Sequence, residues 1–218
     1  ATVTVQIPHV RLWSPEDPFL YTVTVSIGNE NKMLDQYILE TGVRTIAANE
    51  KQILLNGKPI FLKGFGKHED FPVFGRGTAY PVMVKDYSLL KWVGANSYRT
   101  SHYPYDEEYM NMADREGILI IDETPAVGLY FHGDTSELKL RQAACKQYIN
   151  ELISRDKNHP SVIMWSIANE PFPPNISLSS LDVKSNDDQS VAMLTELFGH
   201  VKKQDPTRLS TLVGVSLR

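Results

Sequence analysis

Cysteine is nearly missing from the 218 residues: Cys145 stands alone, so neither an internal disulfide nor a cysteine-built zinc site can form within the chain. No apolar stretch approaches the ~18–20 residues that a membrane-spanning helix needs. Basic runs are absent too. The 22 Lys and Arg residues are scattered among 26 Asp and Glu, for a net charge of −4 and a pI near 5.9. A protein that holds nucleic acid by neutralising phosphates carries a basic stripe, so neither nucleic acid nor a membrane is an expected partner. The opening Ala1-Thr2-Val3-Thr4-Val5 lacks a charged region followed by an apolar core, and no signal peptide is expected from it. His9, His132 and His200 have no partners at metal-ligand spacing, and no Ser-His-Asp set or phosphate loop can be assembled. Neither a metal nor a cofactor is expected.

What remains is a globular composition, 42% hydrophobic and 22% charged, that divides into two parts. Residues 1–42 read as short strands. Residues 2–7 alternate, residues 20–27 are β-branched and aromatic, and Gly28-Asn29 with Glu30-Asn31-Lys32 makes a turn into a returning strand over 33–40. Ser14-Pro15-Glu16-Asp17-Pro18 is a rigid loop. Strands without helices suggest the end of a β-sandwich. From residue 43 the pattern becomes strands alternating with amphipathic helices. Strands are expected at 60–65, 95–99, 118–121, 161–167 and 210–215, with helices at 84–93, 106–116, 137–156 and 189–204. Residues 171–190, rich in Pro, Ser, Asn and Asp, read as an insertion loop.

Repeated strand–helix units indicate a parallel sheet with helical crossovers. A doubly wound nucleotide binder would carry a glycine fingerprint after its first strand. Here that place holds Gly64-Phe65-Gly66-Lys67-His68-Glu69-Asp70, with the wrong spacing and with acids where a phosphate would sit. Polar clusters instead follow successive strands: His68-Glu69-Asp70, Ser101-His102-Tyr103, Asp122-Glu123 and Asn169-Glu170. Chemistry distributed over the carboxyl ends of many strands is the habit of a (β/α)8 barrel. The expected architecture is therefore about five strands of a TIM barrel over 43–218, after the sandwich end over 1–42.

Glu170 is the leading candidate for chemistry. It follows the apolar run Val162-Ile163-Met164-Trp165, and a carboxyl held beside Trp165 would have its charged form disfavoured, leaving it able to donate a proton near neutrality. The competing reading is a solvated glutamate at a surface turn. Asn169 can hydrogen-bond a substrate hydroxyl. Asp70 and Glu123, at strand ends facing the same mouth, are candidates to orient hydroxyls or neighbours. Arg99 reads equally as a substrate contact or as a structural ion pair among strand-end acids. His159 before Pro160 reads as a turn residue, Trp92 and Tyr98 as barrel packing, and Cys145 as inert within its helix.

Two long stretches carry a family resemblance. Asp156-Lys157-Asn158-His159-Pro160-Ser161-Val162-Ile163-Met164-Trp165-Ser166-Ile167-Ala168-Asn169-Glu170 resembles the acid/base signature of glycoside hydrolase family 2. Asn96-Ser97-Tyr98-Arg99-Thr100-Ser101-His102-Tyr103-Pro104, continuing through Asp114 and Gly117, is similar to that family's other signature. Leu12-Trp13-Ser14-Pro15 and Gly42-Val43-Arg44 resemble its immunoglobulin-like domain and the junction with its barrel. Ala168 before Asn169-Glu170 resembles the β-glucuronidase branch, where β-galactosidases tend to carry glycine.

The resemblance implies a retaining hydrolase of β-D-glucuronides, with Glu170 as general acid/base and Asn169 and His102 contacting the sugar. Its partner would be a glucuronide-containing carbohydrate or conjugate, and the family's assembly is a homotetramer. The family's attacking glutamate follows the seventh strand. At about 38 residues per strand step, that strand falls roughly 75 residues past the fifth. The chain is accordingly expected to be an internal segment with one of the two catalytic carboxylates, inactive alone. The alternative is a truncated, non-catalytic paralogue with at most weak carbohydrate binding. The sequon Asn175-Ile176-Ser177 suits a lysosomal protein, whereas bacterial members are cytoplasmic.

Overall fold

The computed structural model describes residues 2–130, 134–171 and 187–214. His132, most of the expected insertion loop and the sequon at Asn175 fall outside the described residues. The expected strand over 2–7 does not form: this stretch is irregular, and Val3 and Val5 are exposed. Alternation makes a strand only where a neighbour accepts its backbone hydrogen bonds, and none among the described residues does.

The first regular unit is a hairpin of β1 (Tyr21–Asn29) and β2 (Lys32–Thr41), antiparallel, with a register shift at Gly28. Asn29 closes the turn, its Oδ1 accepting from the backbone N–H of Asn31 at 3.1 Å and of Lys32 at 3.0 Å. Side chains of short polar residues make such turns locally, without tertiary help.

A three-stranded antiparallel sheet follows, formed by β3 (Ile46–Ala48), β4 (Ile53–Leu55) and β5 (Lys58–Ile60). It corrects the expectation of a first barrel strand over 60–65. Asn56 and Gly57, both at positive φ (51° and 76°), form the two-residue turn that matches strand twist. That turn folds residues 58–60 back onto 53–55, and the barrel strand begins later, at Gly64.

The main body is a five-stranded parallel sheet in the order β10-β9-β8-β7-β6. Its strands are β6 (Gly64–Lys67), β7 (Ser97–Thr100), β8 (Leu119–Glu123), β9 (Val162–Asn169) and β10 (Leu209–Val213). The crossovers are α1 (Tyr80–Trp92), α2 (Glu107–Glu116), α3 (Thr135–Asp156) and α4 (Asp187–Gln204). Helix α1 starts four residues before its expected position because Pro81 lies in its first turn, where its missing N–H costs nothing. Asp106 and Asp134 cap α2 and α3 by accepting from backbone N–H groups of the first turn. Gly117 ends α2 at φ 70°, the left-handed conformation that closes helices.

All four helices share one apolar layer with the sheet. Met83 and Tyr87 of α1, Met110 of α2, Ile149 and Leu152 of α3, and Leu197 and Val201 of α4 join Tyr98, Ile120, Trp165 and Ile167 of the strands in one buried cluster. One helical layer on one side of a parallel sheet is barrel architecture, as the strand-end pattern predicted, not a doubly wound one. Tyr98 packs there as expected. Trp92 does not: it is 82% exposed, because it lies at the end of α1 on the face turned from the sheet. A second, smaller cluster closes the amino ends of the strands, with Trp13 and Leu55 packed on Leu119 and Ile163. Trp13 is also fixed by its indole N–H, which donates to the Asp114 carbonyl at 2.8 Å.

Candidate active site

The period-two alternation of β7, β8 and β9 sorts side chains between the helical layer and the sheet's other face. Arg99 is in register with Ile121, and Glu123 with Ser166. These positions face away from the helices, whereas Tyr98 and Trp165 pack beneath them. Adjacent acids therefore separate. Asp122 is buried on the helix side, accepting from Thr100 Oγ1 at 3.1 Å. Its pKa is raised by burial and by the nearby Asp156. Glu123 turns to the opposite face.

Glu123 is the centre of a polar network, 0% exposed. Its Oε2 accepts from Ser166 Oγ at 2.7 Å and pairs with Arg99 Nε at 3.0 Å. Its Oε1 lies 2.8 Å from His102 Nδ1. The backbone N–H of Glu123 donates to Thr100 Oγ1 at 2.8 Å. Arg99 Nη2 reaches on to Asn169 Oδ1 at 3.4 Å, and the His68 ring stands edge-on to that of His102, centroids 5.2 Å apart. Glycine at position 66 makes room for this: a Cβ there would fall 2.6 Å from Ser101 Oγ and 3.3 Å from Arg99 Nη2. Beneath the network a cavity of about 270 Å³ is lined by Arg99, Ile121, Met164, Thr211 and Gly66.

The structure thus brings three predicted site residues, His102, Glu123 and Asn169, into one network. Arg99 makes the ion pair that one of its two readings expected, with Glu123, and the substrate contact stays an expectation. Asp70 is exposed beyond the end of β6 and stands outside the network. Its neighbour Glu69 is partly buried, and that burial raises its carboxyl pKa.

Glu170 follows directly on β9, its backbone N–H donating to the Val213 carbonyl at 2.8 Å. Its φ of 49° is a conformation that non-glycine residues adopt infrequently. The side chain is exposed, and the apolar shield expected from Trp165 is not there. Trp165 points to the helical layer, its indole N–H donating to Asp205 Oδ2 at 3.0 Å and its ring facing the Arg208 guanidinium. Alternation explains the correction, since residue 165 faces the helices and Glu170 lies beyond the strand. Sequence reasoning missed Ser166 and the pairing of His68 with His102. The strand register would have placed Ser166 beside Glu123.

Among the described residues no group of three or more His, Cys, Asp or Glu is arranged to hold a metal ion, and no helix is long and apolar enough to cross a membrane. Chemically the network is a hydrogen-bonded floor around the buried Glu123, followed along the chain by an exposed carboxyl, Glu170.

Residues 46–218 match the model of the glycosyl hydrolases family 2 TIM barrel domain, and residues 1–44 match a second model of glycosyl hydrolases family 2. Among curated relatives, the β-glucuronidase of Rattus norvegicus is 41% identical over 96% of this chain and 31% of its own length. That of Paenibacillus borealis is 40% identical over 96% and 35%. Among solved structures, the Bifidobacterium dentium β-glucuronidase complexed with coumarin-3-O-glucuronide is 39% identical, with a TM-score of 0.87 over 97% of this chain and 33% of that one. The chain spans about a third of the length of the curated relatives it matches. A barrel-domain match over most of the sequence, a parallel sheet with a single helical layer, and polar residues gathered at its strand ends lead to one conclusion: the chain belongs to glycosyl hydrolases family 2.

Proposed function

We propose that these residues form part of a retaining β-glucuronidase and supply its proton-transferring carboxyl, Glu170. The observation that carries this reading is the position of Glu170: it lies at the carboxyl end of β9, directly after an Asn169 tied through Arg99 to Glu123 and His102. The β-glucuronidases to which the chain is similar, from Rattus norvegicus to Paenibacillus borealis, support the substrate class. Retention requires a second carboxyl about 5–5.5 Å from the first. In the first half-reaction Glu170 protonates the departing glycosidic oxygen while the second carboxylate attacks the anomeric carbon. In the second, Glu170 takes a proton from water as the water displaces that carboxylate. Asp70 and Asn169 would hold sugar hydroxyls, and Glu123 would hold Arg99 and His102 in place. Asp122 faces the helices and Glu123 has its oxygens occupied, so neither meets the need for an attacking group.

The 218 residues alone should therefore release negligible product from an aryl β-D-glucuronide, and release comparable to an intact relative would overturn the expectation that they hold only one of the two carboxyls. Joined to the later barrel strands of the Paenibacillus borealis relative, the chain should turn over the same substrate. Glu170→Gln in that chimera should lower the rate about 10²- to 10⁴-fold. A folded chimera that binds the glucuronide without cleaving it would favour the second reading, a non-catalytic carbohydrate binder, which the exposure of Glu170 supports. A lysosomal compartment belongs to the same proposal, as does assembly of the whole protein, of which these residues would be part, into the family's homotetramer. The sequon at Asn175 supports the first, and a glycan found there by mass spectrometry would test it.

A further inference from the structure

A cleft of about 690 Å³ opens at the amino ends of β9 and β10, between the segment after β2 and the turns that lead into those strands. It lies at the opposite end of the sheet from Glu123 and Asn169. Its charged and titratable lining residues are Arg44, Lys157, His159 and Arg208, joined by Asn158 and three threonines, and among the described residues no aspartate or glutamate lines it. In a chain of net charge −4, such a concentration of positive charge requires a physical account.

Part of that account is structural. Arg44 donates to the Pro160 carbonyl at 2.9 Å and, through Nη2, to the Val162 carbonyl at 2.5 Å. Arg208 donates to the same Val162 carbonyl at 2.7 Å and to the Lys157 carbonyl at 2.6 Å. Two guanidiniums thus converge on one peptide oxygen. Asp205 pairs with Arg208 at 2.8 Å, and Asp114 with His159 at 2.6 Å. Arg44 and Lys157 have no acidic partner within ion-pair distance among the described residues. Burial, then the charge of Arg208, push the Arg44 guanidinium down to about 9, which still leaves it cationic at neutral pH. Asp205 and Asp114 offset part of its charge without touching it, and gathering like charges in a partly buried site costs free energy that a bound anion would return.

We propose that this cleft is a binding site for a phosphate group, free or carried on a small sugar ester, with Arg44 and Lys157, neither in an ion pair among the described residues, supplying the charge and Thr207 and Asn158 the neutral contacts. Guanidinium and ammonium donors around a concave floor, with hydroxyls and an amide at the rim, suit a tetrahedral oxyanion. The volume exceeds the needs of one phosphate and admits an attached hexose. The inference does not rest on the hydrolase reading, because the cleft shares no residue with the opposite face.

Calorimetric titration of the full 218-residue chain with inorganic phosphate, and separately with a hexose 6-phosphate, tests it against potassium chloride at matched ionic strength. Saturable binding of either phosphate beyond the chloride response is expected. Tighter binding of the ester would identify a sugar phosphate, and equal binding the free anion. Lys157→Glu, at an exposed position whose side chain forms no ion pair among the described residues, should weaken binding about fivefold or more without changing the folded circular dichroism spectrum. Arg44→Gln should abolish binding. Should it unfold the chain, Lys157→Glu remains decisive. A response no larger than that of chloride, or one untouched by Lys157→Glu, would overturn the proposal.

Discussion

His102 holds its Nδ1 2.8 Å from Oε1 of Glu123, joining the loop after β7 to the end of β8 through a carboxylate sealed from solvent. The ring itself is partly exposed, so one side of the pair is anchored in the barrel while the other faces the mouth. This is how the strand-end cluster combines a fixed floor with an accessible surface.

Glu123→Gln removes the charge opposite Arg99 while nearly preserving shape. The guanidinium is left without its acidic partner, and the amide must turn a donor toward one of three existing donors. We expect a loss of about 3 kcal/mol, the lower end of what breaking a buried pair costs, because Arg99 retains some solvent. Urea denaturation measures it. A loss below about 0.5 kcal/mol, the range of ordinary surface substitutions, would mean that the pair does not organise the floor.

His159 makes stability depend on pH. Burial by itself would lower its pKa, but the hydrogen bond and charge of Asp114, with Asp156 and Glu107 behind them, outweigh burial and raise it above 6.5. A base whose folded pKa exceeds its unfolded one stabilises the fold fully below the unfolded value. That contribution is lost as pH rises through the folded value. Wild type should therefore exceed His159→Gln in stability most at about pH 5–6, with the gap narrowing toward alkaline pH. Parallel denaturation curves with a constant gap would contradict the pairing.

Gly117 has two reasons to be glycine: φ is 70°, and a Cβ would lie 2.4 Å from the Pro15 carbonyl oxygen. Gly117→Ala should cost about 2–3 kcal/mol and separate the Pro15 loop from the end of α2. A thermal midpoint unchanged from wild type would show that the contact gives way cheaply.

Cys145 sits in the middle of α3 within the helical layer, and burial pushes its thiol up to about 11. A protonated, covered thiol is a poor nucleophile. Ellman's reagent at about pH 8 should find no reactive thiol in the native chain and one after denaturation. Rapid labelling of the folded protein would place Cys145 at the surface.

Much of this was legible in the sequence where the signal is local. The helix expected over 106–116, the polar residues behind each barrel strand and the helix around Cys145 follow from periodicity and local composition, which need no distant partner. Side-chain direction at a strand end was less legible. Trp165 and Glu170 are close in sequence but diverge, because alternation sends the tryptophan to the helices and the glutamate follows a turn in the backbone. The Asn56-Gly57 turn was present in the letters, yet the apolar run after it read as a barrel strand. Trp92 shows the opposite failure: a large aromatic on an amphipathic helix suggests packing, but only the sheet decides which helix face is covered.

Strand β9 has one further consequence. Its amino end is gripped by Arg44 and Arg208 through the Val162 carbonyl, and its carboxyl end delivers Ser166 and Asn169 to the network. Seven residue steps of extended chain separate those ends by roughly 23 Å, too far for direct electrostatic influence at ordinary ionic strength. Whatever binds the basic cleft can be felt at the mouth only if the strand slides lengthwise as a rod. The parallel ladders on both sides resist such sliding, so the two ends of the barrel should operate as independent compartments.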